Sequence, residues 1–252
     1  MNSGNDRARV LEAKAVPIPN LSIIGSTLVV APHPDDESLG CGGTISQLRA
    51  QGYPVHVLFV SDGTMSHPNS PTYPAERLRD LRELEAREAL QILGVDADAC
   101  TFMRCPDRQV PTSDKPGFSD IVKVVSKLIE RLAPSTIFVP WRRDPHPDHR
   151  ASWQFIREAV RHRTTQPRVL EYLIWLWELG TETDMPDPNA VRVWRVAIDS
   201  VMEQRNRAVA AHRSQVTRLI DDDPTAFYLS PDLLAHFDQP RELFLEADLG
   251  YY

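Results

Sequence analysis

The sequence predicts an α/β fold: a single-domain, Rossmann-like arrangement with a mainly parallel sheet flanked by helices and an irregular C-terminal portion. Three observations predict it. Over residues 27–161, short apolar runs rich in β-branched residues alternate with longer segments of helical period, the order in which parallel strands are joined by crossover helices. The chain of 252 residues is 42% hydrophobic and 25% charged, enough apolar material for a sizeable core and a composition that excludes disordered, collagen and coiled-coil classes. No internal repeat or low-complexity linker divides it, so one domain over residues 1–252 is expected, with a core at about 25–220 and an N-terminal extension at 1–24.

Residues 27–32 (TLVVAP) read as a buried first strand, after which the Gly42-Gly43 pair leads into a helix over about 44–51, closed by Gly52. Residues 55–60 form the next strand and end in Ser61-Asp62-Gly63. A helix over about 75–93 places Leu78, Leu81, Ala89, Ile92 and Leu93 near one face, with Gly94 in the C-capping position and a charged opposite face. Residues 99–103 are a third strand. Phe118, Ile121, Val122, Val125, Leu128, Ile129 and Leu132 then repeat at helical spacing until Pro134 stops the helix. Residues 136–141 (TIFVPW) are a fourth strand, and 153–161 lie in the following helix. Beyond residue 165, strands are expected over 169–177 and 191–198 with a Pro- and Asp-rich loop between them, then a helix over 200–219.

With 35 acidic against 28 basic side chains, a net charge of −7 and no run of like charge, the chain is not built to track a phosphate backbone, which argues against a nucleic-acid partner. Cys41, Cys100 and Cys105 form no C-x-x-C pair, and three cysteines do not suit a disulfide framework. No stretch approaches the ~18 uninterrupted apolar residues of a membrane span, and residues 1–20 lack the pattern of a secretory leader. A soluble cytoplasmic protein is expected, with a homo-oligomer left open.

The chemistry lies in two clusters. His33-Pro34-Asp35-Asp36-Glu37 follows the first strand, and Asp144-Pro145-His146-Pro147-Asp148-His149 follows the fourth. In an open α/β sheet ligands bind at the C-terminal strand ends, so these clusters should meet over one crevice. Crowded His and Asp groups between apolar elements need hydrogen-bond partners or a cation. A catalytic zinc takes three His or carboxylate ligands and keeps a position open for water, and His33, Asp36 and His149 supply such a set. Asp35 is then placed to take a proton from bound water, and His146 to stabilise an oxyanion and protonate a leaving amine. Asp148 is a candidate for orienting His146 by a side-chain hydrogen bond. Glu37 is assigned supporting work. Two other classes share these residues: a non-haem iron(II) oxygenase, since two His and one carboxylate also describe the iron facial triad, and a non-catalytic sugar- or nucleotide-binding module with Gly40, Gly42 and Gly43 as a phosphate cradle.

The strings VVAPHPDDESLGCGG and PWRRDPHPDHRAS resemble the PIG-L/LmbE family of zinc-dependent de-N-acetylases. Further similarities are SDG at 61–63, Arg82 and Glu85 leading to Leu93-Gly94, Pro106-Asp107, AHRSQ at 211–215 and the C-terminal PRELFLE. The resemblance implies His33, Asp36 and His149 as zinc ligands, with Asp35 as general base and His146 as the electrophilic and acid residue; the ligand types themselves also admit Fe2+. It adds Arg82 and Asp107 as contacts to a substrate sugar. The implied reaction removes an N-acetyl group from an N-acetylglucosamine-type amino sugar or its conjugate. Mycothiol-pathway members resemble one another in having a tyrosine where this chain has Asp144, which argues against that substrate. Trp175 and Trp177, two apart on an expected strand, would share one face, and His212 is read as packing.

Overall fold

A computed structural model describes residues 10–187 and 189–247; of the extension expected over 1–24, residues 1–9 lie outside that range. Eight strands form one sheet: β1 (Val16–Pro17), β2 (Thr27–Ala31), β3 (Val55–Ser61), β4 (Cys100–Cys105), β5 (Thr136–Pro140), β6 (Arg168–Tyr172), β7 (Val191–Ala197) and β8 (Arg241–Ala247), in the order β1-β7-β8-β6-β5-β2-β3-β4. The run from β4 to β6 is parallel, whereas β8 is antiparallel to both β6 and β7. Eight helices are used below: α1 (Asp36–Ala50), α2 (Ala75–Ile92), α3 (Phe118–Leu132), α4 (Pro147–Val160), α5 (Leu176–Leu179), α6 (Met202–Ala211), α7 (Arg213–Val216) and α8 (Pro231–Phe237).

The central strands are buried on both faces, which is why they read as continuous apolar runs. Their side chains separate with period two. Val29, Ala31, Val57, Phe59 and Phe138 enter the core shared with α1, α2 and α6, while Leu28, Val30, Leu58, Val60, Ile137 and Val139 enter the core under α3 and α4. Strand β2 pairs with β3 on one side and with β5 on the other, so the winding of the chain reverses between β2 and β5. That switch point is where a doubly wound sheet opens a crevice.

Several boundaries differ from expectation for identifiable reasons. Helix α1 starts at Asp36 rather than near residue 44 and takes Gly40, Gly42 and Gly43 into its interior. These glycines permit close approach: a Cβ on Gly43 would lie 2.6 Å from Ile198 Cγ2, and one on Gly40 would strike the Tyr172 ring. Helix α4 contains the expected helical stretch from 153 but starts earlier, at Pro147, so HPDH itself opens a helix, with His146 as N-cap and Pro147 in the first turn. Strand β6 ends at Tyr172 and the chain turns into α5. Trp175 and Trp177 are therefore not on one strand face; Trp175 lines the crevice, whereas Trp177 stacks on His236 with centroids 5.9 Å apart. The helix expected over 200–219 breaks at His212 between α6 and α7. The strand expected over 191–198 is β7, and the C-terminal portion is more regular than expected because β8, which the sequence did not announce, joins β7 to β6 in the sheet. The three cysteines are free thiols, and no helix among the described residues is long and apolar enough to cross a membrane.

Candidate metal centre and active-site cleft

The loop after β2 and the start of α4 place both His/Asp clusters at the switch point. Asp36, in the first turn of α1, turns its carboxylate back so that Oδ2 accepts from the His33 backbone N–H at 2.9 Å. The same oxygen lies 3.4 Å from His33 Nδ1 and 3.2 Å from His149 Nε2. Neighbouring ligand atoms around a tetrahedral ion with bonds of about 2.0–2.1 Å stand roughly 3.3–3.4 Å apart. His149 is fully buried, and neither of its ring nitrogens has a hydrogen-bond partner of acceptable geometry, although Asp144 Oδ1 lies 3.4 Å from Nδ1. A buried imidazole without satisfied nitrogens is costly unless a cation completes it, so the donor set fits a metal ion.

Further groups converge on the same point. Nitrogens of His33, His146 and His149 lie within 4.8 Å of one another, as do ligand atoms of His33, Asp107, His146 and Asp148. His33 Nε2 faces Asp107 Oδ1 at 3.2 Å and Asp148 Oδ2 at 3.3 Å. His146 Nδ1 accepts the Asp148 backbone N–H at 3.2 Å, so the neutral ring carries its proton on Nε2. The Asp148 side chain does not orient His146 as expected. At the second position of α4 its carboxylate points to the loop after β4, accepting from Arg108 N at 2.7 Å and Val110 N at 3.2 Å, and only its amide caps the imidazole. Asp144, buried and unassigned from the sequence, accepts from the amides of His146 at 2.9 Å and Trp175 at 3.1 Å and so ties the start of α5 to the second cluster.

Electrostatics sort these groups. Burial acts against charge on His33 and His149, yet the carboxylates around them win: His33 is raised well above the usual imidazole range by Asp107, Asp148 and Asp36, and His149 is raised to about 9 by Asp36 and Asp144. His146 goes the other way, to about 2, because burial is reinforced by the charges of His33 and His149. Asp36 is held well below the carboxylate range by His149 and His33 despite its burial. Asp35 is raised from the ordinary 3.8 to about 6: burial is the largest cause, Arg82 pulls it down and Asp36 pushes it up.

Arg82 is not an exposed member of a charged helix face. It is 3% exposed and donates to Gly63 O at 2.7 Å, Pro34 O at 2.8 Å and Asp35 Oδ2 at 3.1 Å. Asp107 likewise serves the protein, accepting from the Met65 amide at 2.9 Å. These residues line a cleft of about 170 Å³ whose floor is His33, Asp35, Asp36 and His146 and whose walls include Trp175, Met65 and Phe227. The larger cavity, about 600 Å³, lies elsewhere, around Trp153, Arg157 and Arg168, and holds none of the clustered groups. The glycines of the alternative phosphate cradle lie inside α1, and the amides of Gly43 and its neighbour Thr44 donate to Glu242 of β8 at 2.7 and 2.8 Å.

A doubly wound sheet with a buried His/Asp cage at its switch point defines an α/β protein with one candidate mononuclear metal centre among the described residues. The profile of the GlcNAc-PI de-N-acetylase (PIG-L) family matches residues 28–160, and the chain belongs to this family. It is 28% identical over 199 residues to a probable N-acetyl-alpha-D-glucosaminyl L-malate deacetylase 2 of Bacillus cereus, covering 77% of this chain and 86% of that protein. It is 30% identical over 210 residues to the diacetylchitobiose deacetylase of Thermococcus kodakarensis, covering 76% and 70%. The N,N'-diacetylchitobiose deacetylase of Pyrococcus horikoshii shares the fold with a TM-score of 0.69 at 21% identity, over 96% of this chain and 91% of that one.

Proposed function

We propose that the protein is a metal-dependent hydrolase that removes the N-acetyl group from an N-acetylglucosamine-type amino sugar or its conjugate, releasing acetate and a free amine. The observation that carries this reading is Asp36 Oδ2 poised between the rings of His33 and His149, with the buried His149 nitrogens unsatisfied. Tautomers select the ligand atoms. His33 gives its Nε2 proton to the two carboxylates it faces and keeps a lone pair on Nδ1; His149 turns Nδ1 to Asp144 and Nε2 to Asp36. His146 is excluded as a ligand through Nε2, because its capped Nδ1 leaves the proton there. His33, Asp36 and His149 would therefore hold zinc or Fe2+, which when bound acidifies a water and polarises the amide carbonyl.

Asp35 takes the proton of the attacking water. With an affinity near pH 6 it is basic enough to accept that proton and acidic enough to pass it to the departing nitrogen. His146, its Nδ1 held by the Asp148 amide, donates from Nε2 to the developing oxyanion. Arg82 and Asp107 act on the sugar from the cleft lining, Arg82 chiefly by holding Asp35. The alternating α/β order opposes the oxygenase reading, and the glycine cradle on which the binding-module reading depends lies inside a helix with its Gly43 amide bonded to Glu242.

The test is metal content by mass spectrometry of wild type, Asp35→Asn and His149→Ala, followed by acetate release from N-acetylglucosaminyl malate, diacetylchitobiose and N-acetylglucosamine. About one zinc or ferrous ion per chain is expected in wild type and Asp35→Asn and none in His149→Ala. Absence of metal from wild type even after zinc is offered would overturn the hydrolase reading.

A further inference from the structure

We propose that Glu37, seated by His212, is the positioning residue that locks Asp35 in the backbone conformation from which its carboxylate reaches the cleft. The inference rests on the hydrolase reading only for the role given to Asp35.

Asp35 has φ 143° and ψ −29°, a conformation L side chains rarely adopt and one that persists only where the surroundings over-determine it. It is the N-cap of α1. An Asp in that place ordinarily turns its carboxylate onto the amides of the first turn, but Asp35 makes no such bond. Glu37 does the capping in reverse: its Oε2 accepts the Asp35 N–H at 3.1 Å, as the N3 acid of a capping box does, but from the second position of the helix and without the reciprocal bond. The consequence is chemical. Asp35 keeps its carboxylate for Arg82 and the cleft instead of spending it on the helix.

Glu37 is itself held. It is fully buried, and its second oxygen accepts from Ser38 Oγ at 2.6 Å and from His212 Nε2 at 3.0 Å. His212 comes from 175 residues away, at the break between α6 and α7. The break is anchored on its C-terminal side: the His212 carbonyl accepts from the Gln215 amide at 2.8 Å, and Ser214 donates through N and Oγ to Glu85 of α2 at 2.9 and 2.6 Å. The AHRSQ segment is thus the far support of the Asp35 turn. A group that only filled space would not need its ring nitrogen on a carboxylate.

The experiment compares wild type with His212→Leu, His212→Gln and Glu37→Gln, reading the Asp35 amide by selective ¹⁵N-aspartate labelling, with the signal assigned by its loss in Asp35→Asn, and steady-state kinetics on whichever acetylated sugar wild type cleaves. Glu37→Gln and His212→Leu should move the Asp35 amide signal upfield, as a charge-assisted hydrogen bond weakens. They should lower kcat by about 10- to 100-fold with KM and metal content close to wild type, the effect of a misplaced reacting group. His212→Gln, which keeps an N–H donor toward Glu37, should recover most of both and remains informative if His212→Leu fails to fold. An unmoved Asp35 amide in folded Glu37→Gln overturns the proposal, as does a loss of kcat matched by an equal loss of metal. If wild type cleaves no acetylated sugar, the hydrolase reading fails while the amide signals still decide the clamp.

Discussion

Asp35→Asn should make the metal-free protein more stable while destroying its turnover. The carboxyl titrates at about 6 in the fold against an ordinary 3.8. A group whose folded value is raised contributes stability below its unfolded value and loses it as pH rises through the folded one. At pH 8 ionised Asp35 therefore costs the fold about 3 kcal/mol, and at pH 5 about half of that. Asp35 is 7% exposed, so little solvent screening reduces this figure. Asparagine keeps the shape and the strained turn but carries no charge. Arg82 then loses its ionic partner and keeps the carbonyls of Gly63 and Pro34, an offset of about 1 kcal/mol. Urea unfolding in the presence of a chelator should show Asp35→Asn about 1–3 kcal/mol more stable at pH 8, with the difference shrinking toward pH 5, and kcat of the loaded enzyme down by about 10²–10⁴. A variant no more stable than wild type at pH 8, with an unchanged denaturant slope, would refute the reasoning that burial strains this carboxylate.

His146→Ala should lower kcat by about 10²–10³ while retaining the metal; loss of the ion measured by mass spectrometry would place His146 among the ligands instead. Metal affinity should climb with pH by about tenfold per unit for each proton displaced, up to about pH 9 where His149 loses its proton in the metal-free protein, and a chelator-competition titration flat from pH 6.5 to 9 would contradict this. In the same metal-free protein the His149 contribution to stability is complete below 6.5 and lost as pH rises through about 9. Gly43→Ala gains helix propensity of about 1 kcal/mol but drives a Cβ to 2.6 Å from Ile198; with overpacking at the upper end of about 1–3 kcal/mol, the net loss of about 2 kcal/mol should lower Tm by roughly 4–8 °C in thermal unfolding.

The parallel half of the fold was legible because β2, β3 and β5 are buried on both faces and leave an unbroken apolar signature between helical segments. Strand β7 falls where a strand was expected over 191–198, but β8 was harder to read. In β8 the outward positions Arg241, Leu243 and Glu246 are only partly covered and Glu242 is a buried carboxylate, so the alternation is blurred by a charge whose partner, the middle of α1, lies some 200 residues back. The start of α1 was misplaced for a related reason. Gly40, Gly42 and Gly43 count as helix breakers in isolation, and only the tertiary approach of Tyr172 and Ile198 explains why a helix needs them.

Residue types in the site were readable because each loop carries its whole cluster within six positions, and the switch point brings the two loops together whatever the rest of the chain does. Roles that depend on direction were not. Nothing in DPHPDH says that the Asp148 carboxylate leaves His146 for the loop after β4, or that Asp144 bridges His146, His149 and Trp175; both follow from α4 beginning at Pro147. In the second cluster the His146-Pro147 step starts the helix, with an acceptor at the N-cap and proline in the first turn, whereas after His33-Pro34 the helix waits until Asp36. Taking that signal at face value fixes the proton on His146 Nε2 through the Asp148 amide, and with it the division between the imidazoles that would hold the metal and the one that would donate to the oxyanion. In this family member the local rule for starting a helix and the tautomer required by the proposed chemistry are the same hydrogen bond.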